Sequence, residues 1–413
     1  MTTSPTHQIT LTTFTYGGES LGRLPDQRAV FVPYALPNET VRICLVEEKR
    51  GYARAELVEV LEPSPERIEP RCSHFAQCGG CHYQHIPYEV QLQAKTDILR
   101  DQLKRIGKLE HPTIRPIIPS PHPWNYRNHV QFHLTPDGKL GFQSPRSHEV
   151  IPIGECHLLQ TPLNETWPLL DIESIPGLDR VGLRLGVGDD IMLTLESSDP
   201  NPVELSVDLP LSVVHLGPGG CLVLAGDDHT VIEVGGRPFR VSAGSFFQVN
   251  TPMAEAMVQH LLDNLSLTGE TSVIDAYCGV GLFSAFLAPR VQQLIGIESS
   301  SSACDDFVVN LDEFDNVELY EAPVEDVLPH LDLDSVPEIL VADPPRGGLG
   351  RRTLDGILTL GPEVIAYISC DPATLSRDAR RLTEGGYQLR QITPFDLFPQ
   401  TYHIESISFW DKH

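Results

Sequence analysis

One cysteine, Cys370, stands where the sequence predicts a reactive thiol. The apolar run 364–369 predicts a β-strand, and Asp371-Pro372-Ala373-Thr374 after it predicts the start of a helix. A cysteine between the end of a strand and the amino terminus of a helix lies in a positive field, which lowers the thiol pKa. The sequence therefore predicts that Cys370 is a nucleophile. The alternative is a small buried residue that ends the strand.

Three acidic residues accompany predicted strands in the same part of the chain. Glu298 and Asp343 each come at the end of a short apolar run. Because the carboxyl ends of parallel strands meet at one edge of a sheet, we expect both acids to lie near Cys370. Glu405 enters another apolar run, where a carboxylate is costly unless it is paired or takes part in chemistry. A functional carboxylate and a buried ion pair both remain open for Glu405.

A glycine-rich turn follows the apolar run that ends at Ala276. The run contains Asp275, Glu298 lies 23 positions further on, and the turn itself reads Tyr277-Cys278-Gly279-Val280-Gly281. Such a turn, followed by an acid about 20 residues later, is typical of doubly wound folds that bind the ribose of a nucleotide. The turn lacks the third glycine of the dinucleotide motif, so the sequence predicts a single adenosine-type ligand without a pyrophosphate. S-adenosylmethionine is the commonest cofactor of that kind.

Three of the nine cysteines are crowded into a stretch of ten residues. They are Cys72, Cys78 and Cys81, and a glycine pair before the last one lets the backbone fold around a centre. This crowding predicts a metal site, because a disulfide framework is not expected in a chain without an export signal. The spacing matches neither the ferredoxin patterns nor a zinc ribbon, and Cys156 is the nearest further thiol along the chain. Zinc and an iron–sulfur cluster both remain open, because histidines lie nearby: His74, His82 and His85.

The elements that must position these residues change in character along the chain. Short β-runs between 9 and 61 predict a small barrel, and the apolar period of 88–106 predicts a helix that stops at Gly107. Strands and turns are expected from 134 to 234, and strands alternate with helices after Thr251. We therefore expect an α/β protein with three domains: a barrel at 1–62, a β-rich domain at 63–240 and a doubly wound domain at 241–413. The helix 88–106 belongs to the second domain and could pack on the third.

The balance of charge opposes nucleic-acid binding unless a local patch provides the contacts. Thirty Lys and Arg residues against 56 Asp and Glu residues give a formal net charge of -26, whereas phosphate binding needs a basic surface. The barrel offers arginines near its turns and aromatic residues suited to stacking, which equally suit an ordinary solvated surface. The segment 124–132 mixes aromatic, amide and basic groups. It fits either a site that holds unstacked bases or a half-buried strand.

The sequence contains no feature that predicts attachment to a membrane. No apolar run approaches the roughly 18 residues of a membrane span. The first residues are polar, unlike those of a signal peptide. We therefore expect a cytoplasmic protein.

Taken together, these motifs resemble those of the S-adenosylmethionine-dependent RNA uracil-5-methyltransferases, which make 5-methyluridine in transfer RNA and in large-subunit ribosomal RNA. The resemblance covers nearly the whole chain, and five motifs occur in the family's order: F-F-Q-V-N at 246–250, D-x-Y-C-G-x-G at 275–281, D-P-P-R at 343–346, S-C-x-P-x-T-L at 369–375 and H-x-E at 403–405. It implies a TRAM domain, which is an OB-like β-barrel, then a β-rich iron–sulfur central domain and a Rossmann-like class I methyltransferase domain.

The resemblance also implies a role for each candidate site residue. Cys370 would attack carbon-6 of uracil, Glu405 would remove the proton from carbon-5, and Asp343 and Arg346 would act on the uracil ring. The cofactor would be held by seven residues: Gln248, Asp275, Tyr277, Gly279, Gly281, Glu298 and Asp343. The ligands of a 4Fe-4S cluster would be Cys72, Cys78, Cys81 and Cys156.

RNA is the partner that the resemblance implies, for an enzyme that we expect to be a monomer. We favour 23S ribosomal RNA over transfer RNA, because the barrel and the cysteine cluster together look most like the ribosomal branch. The acidic composition predicts few phosphate contacts, concentrated at Arg23, Arg50, Arg54 and Arg127. The alternatives are a transfer RNA enzyme of the same chemistry and an RNA-binding scaffold with an inert methyltransferase domain. Asp371 departs from the asparagine that the family often has, and its charge is expected to raise the pKa of Cys370.

Overall fold

The computed structural model of the 413-residue chain describes residues 6–170, 172, 177–199, 209–331 and 336–413. The chain forms two compact units. One is made of Met1–Leu99, Phe142–Ile151 and Phe398–His403, and the other of Arg100–Gly141, Pro152–Leu397 and Ile404–His413. No helix within the described ranges is long and apolar enough to cross a membrane. The division into three domains at 62 and 240 stays a prediction.

The first unit contains a closed barrel of five strands. These are β1 (Thr6–Thr15), β2 (Glu19–Arg23), β3 (Ala29–Pro33), β4 (Thr40–Glu48) and β5 (Tyr52–Glu62), paired in the order β1-β2-β3-β5-β4. Apolar side chains alternate along the strands, so Val30, Val32 and Ile43 fill the interior without exposed surface. The predicted barrel is confirmed. The alternation of apolar residues in the sequence does not predict β2. The first two residues of this strand, Glu19 and Ser20, are polar although both are buried.

Helix α1 (Tyr88–Arg105) confirms the predicted helix, and Gly107 lies just beyond its end. The part of α1 up to Leu99 belongs to the first unit. Its Lys95 is fully buried, and Lys95 Nζ donates a hydrogen bond to Phe398 O at 3.0 Å. The bond satisfies a buried ammonium group and ties α1 to a short segment of the same unit.

A second sheet of seven strands follows, with the order β12-β11-β10-β9-β6-β7-β8. Its elements are β6 (His129–Leu134), β7 (Leu140–Gln143), β8 (Val150–Pro152), α2 (Thr161–Thr166), β9 (Leu178–Leu185), β10 (Ile191–Ser197), β11 (Ser212–Gly217) and β12 (Gly220–Ala225). The short helix α2 lies in a part of the chain where the sequence predicts only strands and turns. A separate hairpin, β13 (His229–Val234) and β14 (Arg237–Ser242), turns at Gly235-Gly236, where both φ angles are positive.

The last part of the chain is a doubly wound α/β sheet, as predicted. In chain order its elements are α3 (Thr251–Asn264), β15 (Ser272–Ala276), α4 (Ser284–Leu287), β16 (Gln293–Glu298), α5 (Ser301–Asn310), β17 (Val317–Glu321), α6 (Val324–Val327), β18 (Ile339–Ala342), α7 (Gly350–Leu360), β19 (Val364–Ser369), α8 (Pro372–Glu384), β20 (Tyr387–Phe395) and β21 (Glu405–Lys412). The strand order is β17-β16-β15-β18-β19-β21-β20, parallel as far as β19, with β21 antiparallel to both of its neighbours. The winding reverses between β15 and β18, and open sheets of this kind bind ligands at such a point.

Candidate active site

Cys370 and Glu405 lie opposite each other on neighbouring strands. Ser369 on β19 pairs with Ser406 on the antiparallel β21, so the next pair in this register is Cys370 with Glu405. Directly opposed residues of antiparallel strands have Cβ atoms about 4.5–5.5 Å apart. Glu405 is buried, and Cys370 is half-buried at the end of its strand. The fold therefore brings a carboxylate to the predicted nucleophile.

The surroundings of Cys370 favour the protonated thiol. Burial, followed by the charges of Glu405 and Asp343, raises the pKa of Cys370 to about 12, and the Arg346 guanidinium opposes the rise. The expectation of a lowered pKa for Cys370 is therefore wrong. Burial and nearby carboxylates outweigh the field of the helix.

Asp371 explains part of that outcome, because it caps the helix that follows Cys370. Its Oδ1 atom accepts hydrogen bonds from the backbone N–H groups of Ala373 and Thr374, both at 2.9 Å. The backbone N–H groups of the first turn of α8 have no partner within the helix and would attract a thiolate. Here they donate to the Asp371 carboxylate instead. The same carboxylate contributes to the raised pKa of Cys370, as the sequence predicts.

Two carboxyl groups meet where the winding of the sheet reverses. Asp275 in β15 is fully buried, and the N–H of Asp343, just after β18, donates to Ala276 O at 3.2 Å. Burial raises the pKa of each carboxyl group to about 7, and the Asp275 charge adds to the rise for Asp343. Asp275 Oδ2 accepts from Ser284 Oγ at 2.6 Å, whereas Asp275 Oδ1 is buried without a hydrogen-bond partner among the described residues. An unmatched buried acceptor indicates a place for a ligand that donates hydrogen bonds.

The glycine turn after β15 lies against Glu298. Tyr277 opens the turn with a φ of 65°, and Gly279 N–H donates to Glu298 Oε2 at 3.0 Å. Gly281 has a φ of +90°, and a Cβ atom there would lie 2.4 Å from Leu311 Cδ1, so only glycine fits. A Cβ atom on Gly279 would meet nothing within 4 Å. Open space therefore adjoins the carboxylate that is expected to bind a ribose.

Gln248 lies in an irregular segment just before α3. The residue is 9% exposed, and its backbone carbonyl accepts a hydrogen bond from Asn128 Nδ2 at 3.1 Å. Ser245 in the same segment has its Oγ 2.8 Å from Ser302 Oγ, at the start of α5 and close after Glu298. This contact brings the segment to the edge of the sheet where the predicted cofactor residues lie.

Asp378, a residue that sequence reasoning missed, fixes the loop that carries Arg346. The side chain is fully buried on α8 and accepts hydrogen bonds from Leu349 N and Tyr367 Oη, both at 2.9 Å. One carboxylate thus joins the loop after β18 to the strand that ends at the nucleophile. An acid on a helix is usually solvent-exposed. The sequence signal for a buried Asp378 is its position on the apolar face of α8, between Leu375 and Leu382.

Comparisons with known proteins agree with this arrangement. A family model described as tRNA (Uracil-5-)-methyltransferase matches residues 227–413, and a TRAM domain model matches residues 6–58. An uncharacterized RNA methyltransferase of Thermosynechococcus vestitus is 34% identical over 440 residues, covering 98% of this chain and 97% of the relative. Another, from Aquifex aeolicus, is 36% identical over 420 residues and covers 97% of both chains. The chain belongs to the RNA uracil-5-methyltransferase family.

A solved structure supports the fold of this methyltransferase. The Pyrococcus abyssi tRNA (uracil-54, C5)-methyltransferase, in complex with S-adenosyl-L-homocysteine, superposes with a TM-score of 0.74 and 22% identity. The match covers 97% of this chain and 100% of the archaeal one. This likeness shows the fold. By its family models and relatives the protein is an S-adenosylmethionine-dependent RNA methyltransferase with a TRAM barrel, and the predictions of the family and of the barrel are confirmed.

The predicted cluster ligands of the methyltransferase are divided between the two units. Cys72, Cys78 and Cys81 belong to the first unit and Cys156 to the second, and all four are half-buried thiols outside disulfides. Their chemistry fits an iron–sulfur cluster, and Gly80 N–H donates to Cys78 Sγ at 3.3 Å, a contact that stabilises a thiolate. Within the described ranges, no three His, Cys, Asp or Glu side chains are grouped so that they could hold a metal ion. The cluster stays a prediction.

The arginines expected to contact RNA are partly engaged inside the methyltransferase. Arg54 forms an ion pair with the buried carboxylate of Glu19 at 2.6 Å, and Arg146 binds the same carboxylate. Arg127 Nε is buried and has no hydrogen-bond partner in the part of the chain that the structure describes. Four phosphate contacts stay predictions: Arg23, Arg50, Arg54 and Arg127.

The sequence leaves two alternatives for the segment 124–132, a site for unstacked bases and a half-buried strand. Strand β6 confirms the second alternative for residues from His129 onward, since Val130 and Phe132 are buried. The ring of Tyr126 is buried as well, and Asn128 binds the segment of Gln248. Much of this segment therefore supports the core.

Proposed function

We propose that the methyltransferase forms a covalent bond between Cys370 Sγ and carbon-6 of a uridine in RNA and then methylates carbon-5. One observation carries the proposal: the register of β19 and β21 sets Cys370 opposite Glu405. The parallel strands β18, next to β19, and β15, next to β18, end at the same edge, with Asp343 and with the glycine turn. A thiol beside a carboxylate supplies the nucleophile and the base that this reaction needs.

The first step solves the problem that carbon-5 of uracil is too weak a nucleophile to take up a methyl group unaided. Addition of the Cys370 thiolate to carbon-6 forms the S–C6 bond and moves the electron pair of the C5=C6 double bond into an enolate. In this proposal Arg346 stabilises the developing oxygen charge, and Asp343 hydrogen-bonds the edge of the ring. S-adenosylmethionine, when bound, supplies a methyl group on a positively charged sulfur, and that charge also favours the thiolate over the thiol.

The second step belongs to Glu405. Once carbon-5 carries the methyl group, Glu405 takes the proton from carbon-5, the C5=C6 double bond forms again, and the S–C6 bond breaks to release the Cys370 thiolate. Glu405 is only 6% exposed, which keeps its carboxylate away from bulk water beside the adduct. The target base must leave its stack to reach this edge of the sheet.

We also propose that the cofactor binds where the winding reverses between β15 and β18. The unmatched Asp275 Oδ1 and the open space at Gly279 support this place. Carboxylates around the space give it a negative field that suits a cationic ligand. The residues proposed to hold the cofactor are Gln248, Asp275, Tyr277, Gly279, Gly281, Glu298 and Asp343.

For the substrate we propose a uridine of 23S ribosomal RNA, with transfer RNA as the second candidate. The support for ribosomal RNA is the combination of a TRAM barrel, matched at residues 6–58, with the cysteine cluster. Transfer RNA is favoured by the description of the family model that matches residues 227–413.

A methylation assay on both RNAs, each prepared without modified nucleosides, distinguishes these two substrates. Each RNA is incubated with the wild-type enzyme and methyl-labelled S-adenosylmethionine. Its nucleosides are then separated and identified by mass spectrometry. We expect labelled 5-methyluridine in 23S ribosomal RNA and none in transfer RNA or with Cys370→Ala. Labelling of transfer RNA alone would reject the ribosomal substrate. A labelled base other than uracil, or no label in either RNA, would reject the proposed reaction.

We propose that Cys72, Cys78, Cys81 and Cys156 hold a 4Fe-4S cluster with a structural role, because methyl transfer needs no electrons. Protein purified without oxygen should be brown and contain about four irons per chain. Cys72→Ser should lower the unfolding temperature, while the protein that remains folded should keep most of its kcat. Colourless protein with one zinc ion per chain would exclude the cluster.

A further inference from the structure

The segment 242–250, which carries Gln248, lies between two regular elements. Strand β14 ends at Ser242, and helix α3 begins at Thr251. Ser242 still pairs with His229 in the β13–β14 ladder. Beyond it no helix or sheet ladder fixes this backbone, so bonds from other parts of the chain must satisfy its peptide groups. Three buried polar side chains provide them: Asn128, Arg184 and Asp306.

Arg184 on β9 binds two carbonyl groups of the segment. Its Nη1 donates to Ser242 O at 2.7 Å and its Nη2 to Ser245 O at 2.6 Å, and the side chain is 5% exposed. Burial lowers the pKa of Arg184 to about 10, and the charge of Asp306 opposes that change, so the side chain stays cationic at neutral pH. Charge-assisted bonds to two carbonyls strongly restrict the path of the segment.

Asp306 on α5 accepts hydrogen bonds from the same two serines. Its fully buried carboxylate accepts from Ser242 N at 2.8 Å, from Ser242 Oγ at 2.6 Å and from Ser245 Oγ at 2.6 Å. At the end of the same helix, Asn310 Nδ2 donates to Val280 O in the glycine turn at 2.9 Å. Helix α5 therefore holds both the segment and the turn.

Asn128, just before β6, binds the segment next to Gln248. Its Nδ2 donates to Gln248 O at 3.1 Å and to Thr251 Oγ1 at 3.0 Å, and its backbone N–H donates to Val249 O at 2.9 Å. Asn128 is 3% exposed. Truncation of this side chain would leave the buried carbonyl of Gln248 without its donor.

We propose that Asn128, Arg184 and Asp306 are positioning residues for the methyl donor, holding segment 242–250 in the conformation in which Gln248 binds it. The proposal rests on the role proposed above for Gln248. Buried polar networks add little stability over apolar packing but specify one geometry, which is what a binding segment without regular structure requires.

The test compares Asn128→Ala with the matched variant Asn316→Ala. Like Asn128 Nδ2, Asn316 Nδ2 donates two hydrogen bonds, here to the backbone carbonyls Ala288 O and Val291 O, both at 2.9 Å. These carbonyls precede β16, at the end of the strand opposite to Glu298. Binding of S-adenosylhomocysteine to each full-length protein is measured by calorimetry, together with the unfolding temperature.

We expect Asn128→Ala to weaken binding about tenfold or more, and Asn316→Ala to change it by less than about twofold at a similar loss of unfolding temperature. In steady-state assays of Asn128→Ala, KM for the donor should rise by a larger factor than kcat falls. Ser245→Ala removes the bond to Asp306 and the contact with Ser302 Oγ but leaves the bonds of Asn128 and Arg184 to the segment. It replaces Asn128→Ala if that variant does not fold, with an expected weakening of about threefold.

Three results would overturn the proposal. They are an unchanged affinity in Asn128→Ala, an unchanged affinity in Ser245→Ala when that variant replaces it, and an equal weakening in Asn128→Ala and Asn316→Ala. A wild-type protein that binds no S-adenosylhomocysteine would reject the proposed function itself, and this proposal with it.

Discussion

At the scale of the residue, Asp371 acts on Cys370 and on the following helix at the same time. As a cap it accepts the hydrogen bonds of Ala373 N and Thr374 N. As a charge it contributes, after burial and the larger effect of Glu405, to the raised pKa of the thiol. A substitution that keeps the helix cap but removes the charge separates the effect on the helix from the effect on the thiol pKa.

Asp371→Asn should make Cys370 react faster with iodoacetamide at pH 9. Removal of the carboxylate lowers the thiol pKa, so a larger fraction is thiolate at this pH, while asparagine caps a helix about as well as aspartate. Mass spectrometry assigns the label to Cys370. Asp371→Ala is the control, with at least the same gain in rate, because it also frees the amides of α8, and a stability loss of about 1 kcal/mol from the missing cap. An unchanged rate in Asp371→Asn would show that this charge does not act on the thiol.

The sequence is sufficient to place Cys370, Asp343 and Glu298, because each follows an apolar run that is one strand of a parallel sheet. It is not sufficient for the sign of the Cys370 pKa shift. That sign depends on burial and on Glu405, which reaches the thiol only through the register of β21. Long-range pairing of strands, unlike local periodicity, is not visible in one sequence.

At the scale of the element, the barrel, α1 and the alternating strands and helices are predictable from periodicity, whereas β2 and the role of Asn128 are not. Strand β2 hides Glu19 and Ser20 inside the protein, where Ser20 Oγ donates to Ala35 O at 2.7 Å. Asn128 lies among aromatic and basic residues that suggest a base-binding surface, yet its partners come from residues 248–251. In both places polar residues serve buried contacts that only the fold creates.

The glycine turn provides an element-scale prediction in which two neighbouring glycines behave differently. Gly281→Ala should lower the free energy of unfolding by more than about 2 kcal/mol, since its Cβ atom would overlap Leu311 and its backbone is left-handed. Gly279→Ala should cost only about 1 kcal/mol, for its positive φ, but should abolish binding of S-adenosylhomocysteine by filling the open space. Denaturant unfolding and calorimetry measure the two quantities. Full donor affinity in Gly279→Ala would place the cofactor elsewhere.

At the scale of the whole molecule, the excess of acidic residues limits how the enzyme holds RNA. Several arginines of the barrel are matched by acids of the same barrel, as in the ion pair of Arg42 with Glu59 at 2.6 Å. A continuous basic tract is therefore not expected, and recognition must rely on shape and on few phosphates.

The salt dependence of RNA affinity tests this limit. With about four phosphate contacts, the slope of log K against log salt should be no steeper than about -3, because each contact to a single strand contributes about -0.7. Arg50→Ala should reduce the slope by about 0.7, whereas Arg42→Ala, whose guanidinium is already paired, should leave it unchanged. A slope near -7 would show about ten contacts and contradict the account of a locally concentrated patch.

The most direct test of the central claim is to trap the adduct between Cys370 and RNA. Glu405→Gln should still attack and methylate the uridine but fail to remove the carbon-5 proton, because an amide is not a base. Enzyme, unmodified RNA and S-adenosylmethionine are mixed, denatured and separated on a gel, and the shifted band is digested to identify the linked residue. The account predicts a denaturation-resistant RNA–protein band linked through Cys370 in Glu405→Gln, and neither band nor 5-methyluridine in the double variant that also carries Cys370→Ala. Appreciable 5-methyluridine from Cys370→Ala alone would contradict it.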